Sequence, residues 1–589
     1  MDSTIALVMI VRDEEAHLER CLNSVKDQVD EIVIVDTGSR DRTLELARHY
    51  TQKLYTYQWT GNFSTARNYA IERASSEWIL SLDADEELDV AAGELRTLVQ
   101  NNNGCEAFFL PLFSQADETG SCFSRSLVLR LFRNLPDYRF SGRIHEQIMI
   151  ERPGVVGITD APVIWHRPVA AKERNQKRAR NLNLLLQAVE ADPANSFLQY
   201  YLGLEWLGLQ KPAQALECFQ RTCRELDDSN VLFRAPAVLY RVHCLKVLGQ
   251  LDEALCICLE ESSRYPSYSD LFFEGGVLLE LKGEYAVAIR WFKEALNCGT
   301  PPPLFTHTVG TEGFLALYHL GYCSEQLGQL EEACDYYKQA LAANPDYIYP
   351  LYSLFLLERY RSAPPDVFQH FRKTGYLRTF QQAAALAELF FASGRPDIAL
   401  LCLKECPSSW DCRCLPQIIR FSTYGGEPEH ALSLVNEFEA TCRIFDVSVA
   451  VHRIVALLLL NDSPTAREQA LRLWRKPEQR SEAWALLNLV SLCSGHTWCG
   501  RPEKPRERAV IKLVLDILDD CLRSSAVPIA PGDRREKVDY ARLAKAAMKL
   551  LADLSAEGCT ALTDYLKSKA EALRQTLDKQ HRLARRLYK

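Results

Sequence analysis

Over the first 168 residues, short apolar runs bounded by turn residues alternate with amphipathic stretches; beyond that point helical periodicity takes over. Runs at 5–11, 31–35, 53–57 and 78–82 predict strands, and the patterns at 14–27, 43–50 and 64–74 predict helices. Strands alternating with helices in this way predict an α/β, Rossmann-like domain built on a mostly parallel sheet. Ligands of such sheets bind outside the carboxyl ends of the strands. Asp36 and the pair Asp83 and Asp85 each follow a predicted strand, so the pattern alone converges them on one crevice.

From residue 175 onward no strand is expected, and the chain repeats itself. Gly203, Ala215 and Phe219 recur as Gly276, Ala288, Phe292 and Ala295, then as Gly321, Ala333, Tyr337, Ala340 and Pro345. Small residues let two helices approach, the aromatic fills the groove between them, and proline ends the second helix. This is the tetratricopeptide pattern, with weaker copies around Ala254, Ala399 and Ala431 and an insertion marked by Pro301, Pro302 and Pro303. Trp206, Phe292 and Tyr337 fall at helix-packing positions and are expected in the core. The repeat phase fades near residue 445, which divides the chain into an α/β domain at 1–170, an all-α tetratricopeptide-like solenoid at 171–445 and a helical extension at 446–589, with a loop expected at 524–533.

Composition changes this picture little. The 589 residues predict roughly three to five structural units, and an apolar share of 47% with 25% charged residues excludes wholesale disorder. A net charge of −8 gives no field to attract nucleic acid; the one dense basic run, Arg582, Arg585, Arg586 and Lys589, reads as a solvated helix end. The apolar stretch 444–460 is broken by Asp446, His452 and Arg453, so no membrane span is expected, and the first residues lack the pattern of a secretory signal. Twenty cysteines, spread thinly at helical positions such as Cys218, Cys323 and Cys442, read as reduced thiols of a cytoplasmic protein. Two groups have zinc-ligand chemistry, Cys402, Cys406, Cys412 and Cys414, and Cys493, His496 and Cys499, but neither has paired two-residue spacing.

The chemistry lies in the first third. Asp83-Ala84-Asp85 at the end of an apolar strand offers hard oxygen ligands to magnesium or manganese, and such an ion would neutralise a diphosphate. An Asp-x-Asp alone reads more readily as a solvated turn or helix cap, but it stands in order with Val33-Ile34-Val35-Asp36-Thr37-Gly38-Ser39 and Asn62-Phe63-Ser64-Thr65-Ala66-Arg67-Asn68. Together, over residues 4–168, these motifs resemble the family 2 glycosyltransferases with the GT-A fold. The resemblance implies that Val11, Arg12 and Glu14 of the first strand and turn meet a nucleotide, that Asp36 binds the base, and that Arg67 approaches the diphosphate. It also implies that Asp83 and Asp85 are the nucleotide and metal carboxylates. Asn62 departs from the family, where an acid often precedes Phe-Ser. The fused repeats are similar to those of the sublancin-type peptide S-glycosyltransferases, although this chain extends further at its C-terminal end.

A second constellation, Arg139-Phe140-Ser141-Gly142-Arg143-Ile144-His145-Glu146, precedes Trp165-His166-Arg167. Arginines donate to phosphate oxygens, and a carboxylate or imidazole beside a sugar can take the proton of an acceptor. The resemblance supports Glu146 as the general base with His145 as runner-up, Arg143 at the donor, and His166 as a further metal ligand; taken alone, His166 reads more readily as a packed or hydrogen-bonded loop residue. A Mn2+- or Mg2+-dependent inverting transfer from a UDP-linked sugar to a peptide or protein side chain is then expected, with the repeats recruiting the acceptor or forming a homodimer. The competing expectation is an inactive sugar-nucleotide fold serving as a scaffold. A nucleotidyltransferase would need a glycine-rich phosphate loop after the first strand, which is absent.

Overall fold

The computed structural model describes residues 3–91, 94–115, 123–150, 155–167, 171–406, 415–442, 446–495, 506–525 and 538–556. Cys412, Cys414, His496, Cys499, most of the loop expected at 524–533 and the basic tail lie outside the described residues, as does much of the segment 113–125. The chain divides into two compact units, Met1–Tyr336 and Tyr337–Lys589.

The first unit begins with β1 (Ile5–Val11), α1 (Leu18–Val25), β2 (Glu31–Asp36), α2 (Thr43–Ala47), β3 (Leu54–Thr56), α3 (Phe63–Ile71) and β4 (Trp78–Ser81), matching the alternation expected from the sequence. There follow β5 (Glu86–Asp89), α4 (Leu95–Gln100), β6 (Ala107–Gln115), β7 (Phe123–Arg133), β8 (Phe140–Ser141), β9 (Gln147–Ile148), β10 (Val156–Ile158) and β11 (Val163–His166). The main sheet runs β3-β2-β1-β4-β7-β6-β11-β5. Strands β1 to β4 are parallel, while β4 meets β7, β7 meets β6, and β11 meets β5 antiparallel, so the sheet is mixed. Because β1 pairs with β2 on one side and β4 on the other, the strand order reverses at β1. That switch opens a crevice at the ends of β1, β2 and β4, where Val11, Asp36 and Ser81 stand. Both faces of β1 are buried, Leu7 and Met9 against α1 and Ala6 and Val8 on the other side, which is why the strand is continuously apolar.

Helix α1 starts at Leu18 and not at Glu14, as the apolar spacing alone suggested. The backbone N–H groups of Glu14 and Glu15 instead donate to Thr43 Oγ1 at 2.8 Å and Asp41 Oδ2 at 3.1 Å, which ties the exit of β1 to the exit of β2.

The helical part of this unit comprises α5 (Ala171–Ala191), α6 (Ser196–Gly208), α7 (Pro212–Glu225), α8 (Val231–Val247), α9 (Leu251–Arg264), α10 (Ser269–Leu281) and α11 (Tyr285–Cys298). The repeat signature has a direct steric cause. A Cβ on Gly203 would lie 2.7 Å from the Phe219 ring, and one on Gly276 would lie 2.6 Å from Phe292. Phe219 and Phe292 are fully buried, as is Tyr337 where the second unit begins, each ring contributing roughly 2–3 kcal/mol of apolar burial. Trp206 is half-buried.

One expectation is corrected. Strands do not end at residue 168: β12 (His307–Thr308), within the insertion that follows the three prolines, pairs antiparallel with Ser124 and Arg125 of β7. Asp270, at the start of α10, holds this segment by accepting from Thr308 N at 2.8 Å, and Tyr268 Oη donates to the Thr306 carbonyl. A two-residue strand has no periodicity of its own, so only its partner defines it. The unit closes with α12 (Phe314–Gln326) and the start of α13 (Leu330–Ala343).

The second unit continues as helices, from Tyr349–Arg361 to Tyr540–Ala556. Ala399 and Ala431 are fully buried at helix contacts, and Arg420 pairs with Asp520 at 3.1 Å. The apolar stretch near 450 is the buried helix Val447–Leu459, with Asp446 as its N-cap. Among the described residues no helix is long and apolar enough to cross a membrane. Cys402 and Cys406 are buried free thiols.

Candidate active site

Four strand ends and two helices build the crevice. At the exit of β1, Asp13 adopts a φ of 56°, its N–H donates to Ser39 Oγ at 3.0 Å, and its carboxylate accepts from Arg40 N at 2.7 Å. Thr37 N donates to the Val11 carbonyl at 3.0 Å. Asp36 is buried, and its carboxylate accepts from Gly38 N at 2.9 Å and Ser39 N at 3.1 Å. Its charge therefore organises the loop that forms one wall of the crevice. Arg12 reaches outward, with its Nε 3.7 Å from Asp13.

Helix α3 is capped by Asn62, whose side chain accepts from Thr65 N at 3.2 Å; an amide oxygen serves this role as a carboxylate would. The helix is stitched to the 140–147 segment: Asn68 and Phe140 exchange two hydrogen bonds, at 2.8 and 2.9 Å, and Phe63 N donates to the Arg143 carbonyl at 2.9 Å. This stitching brings Glu146 to Arg67. The Arg67 guanidinium, 7% exposed, donates to Glu146 Oε1, to Ser81 Oγ at 3.2 Å and to Asp83 Oδ1 at 2.6 Å. Burial opposes the Arg67 charge, but Asp83 and Glu146 outweigh it and hold the guanidinium ionised.

Asp83 takes a second guanidinium from β7, Arg130, at 2.8 Å, and Arg130 also reaches Glu86 Oε1 at 2.5 Å. Burial disfavours the Asp83 carboxylate, yet the two arginines keep it far below the usual carboxylate range. Glu86 is pushed upward by burial, with Arg130 opposing and Asp83 adding to the rise.

Asp85 faces elsewhere. Its Oδ2 lies 3.7 Å from His166 Nε2 and 3.5 Å from Lys177 Nζ, which itself donates to Glu14 Oε1 at 3.0 Å. Register places His166 there, because β11 pairs with β5 so that His166 opposes Glu86, and Arg167 N donates to the Asp85 carbonyl at 3.0 Å. Burial raises the Asp85 pKa, but His166 and Lys177 bring it below the ordinary value, and Asp85 in turn raises that of His166. Asp85 and His166 form a carboxylate and imidazole pair suited to a divalent ion, and among the described residues no third His, Cys, Asp or Glu completes a metal-binding group.

His145 and Arg143 leave this cluster. His145, at a φ of 50°, stacks on Tyr201 of α6 with ring centroids 3.9 Å apart, and burial pushes its pKa down to about 4. Arg143 turns to the Gly61 carbonyl at 2.8 Å. Of the residues named from the sequence, Arg67, Asp83 and Glu146 meet directly, and Asp85, His166 and Glu14 gather beside them through Lys177. Arg130 and Lys177 were missed, and Glu86 was read only as a carboxylate that follows the Asp83 and Asp85 pair. Arg130 had a signal, a charge set inside the apolar run Leu127-Val128-Leu129-Arg130-Leu131-Phe132, whereas Lys177 sits in a helix rich in cations and had none.

The sequence is also similar to known proteins. A model described as glycosyl transferase family 2 matches residues 6–118, and a tetratricopeptide-repeat model matches residues 314–347. A TPR repeat-containing protein of Synechococcus elongatus is 32% identical over 349 residues, covering 59% of this chain and 68% of that protein. The SPbeta prophage-derived glycosyltransferase SunS of Bacillus subtilis is 28% identical over 50% of this chain and 71% of its own length. The lipopolysaccharide core biosynthesis glycosyltransferase LpsC of Rhizobium meliloti is 29% identical over 43% of this chain and 97% of its own. With its parallel-strand crevice, its acidic strand end and its buried arginine, the chain belongs to the family 2 glycosyltransferases that carry tetratricopeptide repeats.

Proposed function

We propose that the enzyme is a metal-dependent inverting glycosyltransferase that moves a sugar from a UDP-linked donor to a side chain of a peptide or protein. The observation that carries this reading is Arg67, which joins Asp83 after β4 to Glu146 of the 140–147 segment and so sets a cation beside a candidate base. Asp85 and His166 fit a divalent ion: one hard oxygen and one imidazole nitrogen face each other, a donor set compatible with Mn2+ or Mg2+. When bound, such an ion supplies positive charge to the diphosphate leaving group.

The chain's own residues supply the rest. Val11, Arg12, Glu14 and Asp36 form the wall that receives the nucleotide, with the Asp36 carboxylate holding that wall's loop in place. Arg67 and Arg130 place two guanidinium groups at the end of β4, so charge developing on the leaving group meets fixed donors that need not reorganise. Arg67 orients Glu146 through Oε1, leaving Oε2 to accept the acceptor's proton. One base and one leaving-group site suffice for a single displacement, which inverts the anomeric centre.

The acceptor reading is supported by the repeats. The His145–Tyr201 stack sets the first helical hairpin against the same loop that carries Glu146, so a chain held along the hairpins would reach the base. The test incubates the purified protein with a panel of nucleotide sugars, Mn2+ and a peptide library. Mass spectrometry is expected to find glycosylated peptide, with NMR showing the inverted anomer. Transfer to a lipopolysaccharide core acceptor with none to peptides would overturn the acceptor reading.

A further inference from the structure

Helix α5 opens the helical region, yet it faces two ways. On one side Arg178 reaches Glu205 at 3.2 Å and Asn181 reaches the same carboxylate at 3.1 Å, which fastens α5 to α6 through a buried acid. Leu185 packs with Ile144, Leu202 and Cys218 in a shared cluster. On the other side Lys177 leans into the strand-end crevice, its ammonium 3.0 Å from Glu14 Oε1 and 3.5 Å from Asp85 Oδ2. Both acids are largely covered, with side chains 12% and 16% exposed, so their charges need a counter-ion within the protein. Lys177 is a counter-ion shared by both, beside His166 at Asp85.

We propose that Lys177 is the resident counter-cation of the donor site, and that a divalent ion binding at Asp85 displaces it towards Glu14. The inference rests on the metal reading of Asp85 given above and deepens it. Asp85 Oδ2 has His166 on one side and the ammonium on another. A divalent ion held by that oxygen would stand next to a like charge, and the repulsion falls only if the lysine withdraws. Glu14 offers the place to withdraw to, since it already holds the shorter of the two contacts. A competitor built into the protein weakens the bare site for metal. It also couples metal loading to α5, the helix that joins the sheet domain to the repeats.

The test measures Mn2+ binding to the full chain without nucleotide, by electron paramagnetic resonance of free Mn2+, in the parent, Lys177→Met, Lys177→Arg and Asp85→Asn, each checked for folding by circular dichroism. Lys177→Met is expected to bind Mn2+ about tenfold more tightly than the parent, which is about 1.4 kcal/mol. Lys177→Arg, which restores the charge, is expected to return to parental affinity, and Asp85→Asn to lose the site. Equal or weaker binding by Lys177→Met, with binding still abolished by Asp85→Asn, overturns the role of Lys177 and leaves the metal reading standing. If neither the parent nor Lys177→Met binds Mn2+ in a way that depends on Asp85, both readings fall.

Discussion

Arg67→Met removes the centre of the buried ionic cluster. The guanidinium is 7% exposed and donates to three groups: Asp83, Ser81 and Glu146. Breaking a buried pair from one side costs about 3–5 kcal/mol, because the remaining charge has neither water nor a partner. Asp83 keeps Arg130 at 2.8 Å, so most of the loss falls on Glu146, whose side chain is 8% exposed. That places the expected destabilisation at the lower end, about 3 kcal/mol. Adding Glu146→Gln removes the orphaned charge, so the double variant is expected to recover about 2 kcal/mol relative to Arg67→Met alone. Hydrogen exchange read by mass spectrometry on peptides from β1 and β4 reports the stability of this unit without requiring the whole chain to unfold in one step. The reasoning is refuted if Arg67→Met leaves exchange in those peptides unchanged, or if the double variant is no more protected than the single one.

Gly203→Ala drives a methyl into the Phe219 ring and is expected to cost about 1–3 kcal/mol, seen as faster exchange in α6 and α7, with parental protection retained in β1. Asp270 is buried, and its pKa is pushed up to about 8 by that burial. A carboxyl whose folded pKa lies above its unfolded value near 4 adds no penalty in acid. The penalty grows as pH rises towards 8 and is complete above it, at about 1.4 kcal/mol for every tenfold difference in proton affinity between the folded and unfolded chain. Asp270→Asn keeps an oxygen for Thr308 N and removes the charge, so its stability advantage over the parent is expected to widen from about pH 5 to about pH 9 in urea titrations; a constant difference across that range contradicts the assignment.

The strands of the crevice were legible because a strand segment buried on both faces must be apolar, as β1 is along its length, β2 is from Ile32 to Val35 and β4 is from Trp78 to Leu80. The repeats were legible because Gly203 and Gly276 answer to rings at fixed spacing. Contacts set by distant partners were not. The start of α1 was lost to side chains of Asp41 and Thr43, β12 exists only through β7, and Lys177 reaches the site from a helix whose own pattern speaks of solvent. At the site, residue types were readable from the motifs, whereas their partners were not: nothing local to His145 foretells the ring of Tyr201.

The central claim is that the acidic end of β4, with Arg67 behind it, grips the diphosphate of a nucleotide sugar through a divalent ion at Asp85. Thermal-shift titration of UDP-sugars with Mn2+ against the parent and Asp85→Asn tests it most directly. A ligand at about a hundred times its Kd stabilises the parent by about 2.7 kcal/mol. The account predicts that stabilisation in the parent, dependent on Mn2+ and absent from Asp85→Asn. Equal stabilisation of both proteins, or of neither by any nucleotide sugar, would contradict it.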